Sequence, residues 1–164
     1  MVDWAVHKKW DTILGISDSA SNYVLHAIDC KGPFDKIIKL PEDFKKHTLD
    51  RKLPVAGHKH ISISDLKSNL HDRYRDKIIQ KEDLQFLFTK GQEYVKAYYL
   101  HILLDYLKHQ DFWITQTGEI FSASVAKCIK HKCVSLPHTH AILGDVQAFL
   151  EAHRQEIEHD LNLD

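Results

Sequence analysis

The run QEYVKAYYLHILLDYLKH, residues 92–109, decides the fold. Tyr94, Val95, Ala97, Tyr98, Tyr99, Leu100, Ile102, Leu103, Leu104, Tyr106 and Leu107 leave it almost no polar face. A helix that is apolar all round has to be covered on all sides, so this one is predicted to be the central, buried helix. Other helices must then supply the cover.

The flanking sequence supplies them. Asp3 is placed to cap a helix through Leu14, stopped by Gly15. Ser17 or Asp18 can cap a second through about Cys30, ended by Gly32-Pro33. Pro41 suits the first turn of a short helix over Glu42–His47, while His60–Ile63 alternates and reads as a short strand or extended loop. Ser64 or Asp65 starts a helix to about Gln80, and Glu82–Thr89 reads as another, ended near Gly91. Phe112–Thr117 is extended or turn, Glu119–His131 helical. A last helix is predicted over Thr139–His159, its stripe formed by Ile142, Leu143, Val146, Phe149, Leu150 and Ile157. The expected architecture is all-α: a compact bundle of six or seven helices, with one irregular segment near 31–63, and a single domain over 1–164.

Lys and Arg number 22 against 23 Asp and Glu, so there is no electrostatic footprint for nucleic acid or an anionic membrane. The apolar stretch around Tyr98–Leu107 is short and broken by His101 and Asp105, too little for a membrane span. The charged start, Met1 to Lys9, has no apolar leader, and three cysteines (Cys30, Cys128, Cys133) are odd in number. Both point to a cytoplasmic protein with reduced thiols. The outlier is histidine, 13 of 164 residues, and imidazole is the commonest metal ligand and the usual acid–base group near neutral pH.

Polar residues inside the apolar pattern carry the chemical information. His101 and Asp105 stand i,i+4 on the central helix and point the same way, with His109 one turn further. A buried carboxylate costs several kcal/mol unless it is paired or binds a cation. The pair is therefore either a self-contained hydrogen-bonded couple or two ligands on one helix face. His71-Asp72 is a second signal; adjacent helical residues diverge by about 100°, so both serve one ion only if the helix lies close to it. The bland alternative is an exposed charge pair. His7 lies between Trp4 and Trp10 on the first helix, as a ligand or as a core histidine paired with Asp11. Asp29 closes the second helix, where an acid opposes the macrodipole; a cation or plain exposure accounts for it, and His26 could take its place.

Taken in order, His7, Asp29, His71-Asp72 and His101-x-x-x-Asp105 resemble the HD and HD-like metal-dependent phosphohydrolases, and especially the zinc-dependent phospholipase C branch of all-helical metalloproteins. The resemblance spans the chain up to about His109. It implies His7, Asp29, His71, Asp72, His101 and Asp105 as metal ligands, with Asp72 or Asp29 bridging two metals or acting as base. His109 would be a further ligand.

Mixed histidine and carboxylate donors suit Zn²⁺, Mn²⁺, Fe²⁺ or Ni²⁺. The expected substrate is a small phosphorylated molecule, with Arg73, Arg75 and Lys77 placed to face the phosphate or simply to solvate the surface.

Cys128, His131, Cys133, His138 and His140 have zinc-ligand chemistry but a spacing that fits no common finger. His58 and His60 form a weaker strand-like pair, and no nucleophile elbow or phosphate-binding glycine loop is present. The competing expectation is a non-enzymatic helical interaction or regulatory protein whose histidines belong to the core.

Overall fold

The computed structural model describes residues 2–28, 41–50, 81–109 and 118–162, and all regular structure among them is helical. The helices are α1 (Trp4–Ile13), α2 (Asp18–Ile28), α3 (Glu42–Asp50), α4 (Lys81–Lys90), α5 (Gln92–His109), α6 (Gly118–His131), α7 (His140–Ala152) and α8 (Arg154–Asp160), with a 3₁₀ turn at Pro137–Thr139. The all-α expectation is met. The expected helix over Ser64–Gln80 and the extended His60–Ile63 and Phe112–Thr117 segments lie outside the described residues.

α5 is central. Val95, Ala97, Tyr98, Tyr99, Leu100, His101, Leu103, Leu104 and Leu107 are buried along it. It packs against α1, α2, α4, α6 and α7. The Tyr99 hydroxyl bonds the Val134 carbonyl at 3.0 Å and the Thr139 hydroxyl at 2.9 Å, pinning the turn before α7 to the core.

The predicted start and stop signals work as chemistry. The Asp3 carboxylate accepts from the Ala5 N–H at 2.7 Å, capping α1. Gly15 then leaves the helix at φ +84°, a conformation that disfavours a side chain. Gly91, at φ +145°, similarly separates α4 from α5.

α1 runs antiparallel to α5. The Val2 N–H bonds Asp105 near the C-terminal end of α5, and the Ser17 N–H bonds Glu93 in its first turn. This register sets His7 beside His101.

The last predicted helix is instead two. The chain breaks at His153 (φ −110°, ψ 18°), between α7 and α8. After Leu150 the apolar stripe would need partners at 153 and 154, and His153 and Arg154 stand there. The His153 backbone N–H and its ring Nδ1 both turn to the Phe149 carbonyl, at 3.1 and 3.0 Å. Its ring also packs edge-on to Trp10. α8 is tied back by a Lys9–Asp160 ion pair and by Lys108 Nζ on the Leu161 carbonyl at 2.7 Å.

Candidate metal centre

Three polar side chains meet inside the α1–α5 contact. His7 and His101 are 2% and 5% exposed, although 94 positions separate them in the chain. Asp105 reaches both: His7 Nε2 lies 3.3 Å from Oδ1, and His101 Nε2 lies 3.3 Å from Oδ2. The two imidazoles stack face to face, with centroids 4.1 Å apart and planes 20° from parallel. The Val2 N–H donates to Asp105 Oδ1 at 2.9 Å and anchors the carboxylate.

The reason these groups converge is periodicity. His101 and Asp105 sit one turn apart on α5, and α1 presents His7 at the level of His101 because the two helices are antiparallel. Trp10, one turn after His7 on α1, is fully buried and meets Phe149 of α7 edge-on. The Asp105 side chain keeps 17% of its surface, so the cluster has an opening at the carboxylate.

Burial raises the cost of a charge on Asp105, but hydrogen bonds from His101 and His7, and their charges, outweigh it. The carboxyl is held well below the usual carboxylate range. Asp11 behaves oppositely. It is 4% exposed, and burial pushes it up to about 6 against the lowering influence of the Ser21 hydroxyl bond and of His101. The alternative of a His7–Asp11 couple is therefore not what forms. Asp11 bonds Ser21 on α2, and His7 turns to Asp105.

The donor set fits a divalent transition metal. One ligand atom from each of His7, His101 and Asp105 lies within 4.8 Å of the others, and this is the one such group of three or more His, Cys, Asp or Glu among the described residues. The two 3.3 Å separations are long for charge-assisted hydrogen bonds, which run about 2.7–2.9 Å. They run to different oxygens of the carboxylate, and each is close to the roughly 3.4 Å edge of a tetrahedron with metal–ligand bonds of about 2.1 Å. The rings, however, are stacked against each other with both Nε2 atoms on the one carboxylate. A cation taken up here has to draw the two imidazoles out of the stack.

Of the expected ligands, His7, His101 and Asp105 come together, while Asp29, His71 and Asp72 lie outside the described residues, as do Arg73, Arg75, Lys77, His58 and His60. His109 does not join. Each i,i+4 step drifts about 40° around a helix, so His109 has rotated away from His101, and it is exposed at the end of α5. His26 does not join either: its Nδ1 is bonded to the Asn22 carbonyl at 2.7 Å and its ring meets Trp4 edge-on. Nor do the C-terminal cysteines and histidines converge. Cys128 is buried with its thiol toward the Ile102 carbonyl, whereas His131, His138 and His140 are exposed.

Two groups around this centre were not assigned to it from the sequence. The Val2 N–H carries no side-chain signal at all. Asp11 has one: with His7 it repeats, on α1, the His-x-x-x-Asp spacing of His101 and Asp105 on α5. Compared with known protein families, with curated proteins and with solved structures, the chain matches none.

Proposed function

We propose that this chain is a metal-dependent hydrolase of phosphoesters whose cation is held by His7, His101 and Asp105. The observation that carries the reading is the aim of two buried imidazole Nε2 atoms, from helices far apart in sequence, at the two oxygens of one carboxylate. Three protein ligands with an opening beside one of them is the pattern of a catalytic site rather than a closed structural one. Phosphoester as substrate class comes from the resemblance to the HD-like phosphohydrolases, which would also bring Asp29, His71 and Asp72 into the ligand set.

A bound divalent cation supplies an acidified water and neutralises charge on phosphoryl oxygens. The chain's own residues prepare for that. Asp105, held ionised, contributes the negative charge that favours a cation over an empty pair of imidazoles. The Val2 N–H orients that carboxylate. Both imidazoles are buried while Asp105 keeps an exposed edge, so exchange with solvent would take place at the carboxylate.

The second reading, a non-enzymatic helical protein with a hydrogen-bonded His–Asp–His core, has the parallel stacking of the rings on its side. One experiment separates the two. Protein purified without added metal is assayed for Zn, Mn, Fe and Ni by elemental analysis, and for hydrolysis of p-nitrophenyl phosphate and bis-p-nitrophenyl phosphate with each metal restored. The hydrolase reading expects near-stoichiometric metal and turnover that His101→Ala abolishes. Metal-free protein that takes up none of the four ions overturns it in favour of the core reading.

A further inference from the structure

The central and first helices carry the same spacing, His7-x-x-x-Asp11 and His101-x-x-x-Asp105, and antiparallel packing sets the two face to face. The histidines meet in the middle as a stack. The aspartates do not share a fate. Asp105 takes both Nε2 atoms, while Asp11 sits deeper, held by the Ser21 hydroxyl of α2.

His101 Nδ1 is buried and has no hydrogen-bond partner. An imidazole that ligates through Nε2 must carry its proton on Nδ1, and a buried N–H without an acceptor costs about 1–3 kcal/mol. Ligating histidines almost always give that N–H to a carboxylate, a carbonyl or water. Asp11 is the carboxylate at hand. It lies one turn from His7, whose ring covers His101, and it is buried in the same α1–α5 contact.

We propose that Asp11 is the positioning residue of the metal centre: when His101 leaves the stack to bind the ion through Nε2, its Nδ1–H turns to the Asp11 carboxylate, which Ser21 holds in place. The inference rests on the metal reading above. It assigns the two aspartates different work, Asp105 as ligand and Asp11 as the acceptor that fixes one tautomer of one ligand.

The test titrates Co²⁺, as a spectroscopic probe, into metal-free wild-type protein, Asp11→Asn and Ser21→Ala. Zn²⁺ affinity is read in parallel by competition with a chelator. Asn keeps the shape and can still accept from Ser21, so the fold is retained. The expected result is a 10- to 100-fold loss of affinity for Asp11→Asn. Altered Co²⁺ absorption and a changed ¹⁵N signature of His101 should accompany it, and a purely structural aspartate would move neither. Ser21→Ala should weaken binding in the same direction by less, and it carries the test should Asp11→Asn not fold. Wild-type affinity and an unchanged His101 signature in both variants overturn the inference while leaving the metal reading intact. Wild-type protein that binds neither ion overturns both.

Discussion

Among the described residues, two histidine–aspartate arrangements stand between helices, and they are built differently. Between α3 and α4, His47 Nε2 meets Asp83 Oδ1 at 2.9 Å, an ordinary charge-assisted distance. Asp83 is 1% exposed, and the His47 ring lies flat on Phe86 with centroids 4.4 Å apart. Here one imidazole satisfies one carboxylate oxygen and an aromatic ring covers its face. Between α1 and α5, two imidazoles share one carboxylate at 3.3 Å each, with one ring nitrogen of His101 left unbonded. The contrast teaches that a buried His–Asp contact is not by itself a site. What sets the second arrangement apart is two imidazoles on one carboxylate, both at long range, together with an opening to solvent.

The strongest way to break the comparison is Asp105→Asn. Removing the charge while keeping the shape should lower metal content and turnover together, at least about a hundredfold in affinity, with the helical circular dichroism preserved. Full occupancy and full turnover in that variant would reduce the α1–α5 cluster to the status of His47–Asp83. The same change at Asp83 should leave metal content untouched.

Chelation comes next. Metal bound to the native state alone stabilises it by about 2.7 kcal/mol at a hundredfold excess over Kd, which for a chain of this size is about 5–11 °C in Tm. A melting temperature that ignores chelator, in protein known to carry metal, would count against a structural contribution from the ion.

Asp11→Asn sharpens the comparison from the opposite direction, in metal-free protein. The folded carboxyl is raised from 3.8 to about 6. The stability that goes with its neutral form is therefore fully present below pH 3.8 and lost as pH rises through about 6. Asn does not titrate. The variant should match wild type near pH 3.5 and exceed it at pH 7.5 by on the order of 2–3 kcal/mol. Urea melts at the two pH values measure this, and equal stabilities at pH 7.5 would contradict it. The same substitution is thus expected to strengthen the metal-free fold and weaken metal binding.

The smallest effect is expected at the finished pair. His47→Ala removes one donor from a buried acceptor and should cost about 1–3 kcal/mol, with metal content and Co²⁺ spectrum unchanged. A loss of metal in His47→Ala would mean that the two arrangements are coupled.

Much of this architecture could be read from residues 92–109 and the punctuation around them. The helix over Gln92–His109 has the predicted bounds, and Asp3 and Gly15 start and stop α1 as their chemistry dictates. The break at His153 was less visible, because a stripe of apolar residues with one missing turn still resembles a continuous helix. The site was legible in its parts: a histidine between tryptophans, and a His-x-x-x-Asp on an apolar helix.

What the sequence determined by itself is the helical class and the identity of the buried helix, since both follow from local periodicity and capping. It also marked His101 and Asp105 as polar groups in need of partners, because an apolar helix makes any charge on it conspicuous. Only the tertiary structure decided which partners they take. The antiparallel register of α1 on α5 put His7 rather than Asp11 against Asp105, delivered the Val2 N–H to the same carboxylate, and gave Asp11 to Ser21. Those choices depend on where two helices slide against each other. That is fixed by the packing of Trp10, Phe149 and the leucines of α5 over long separations in the chain, and no local spacing encodes it.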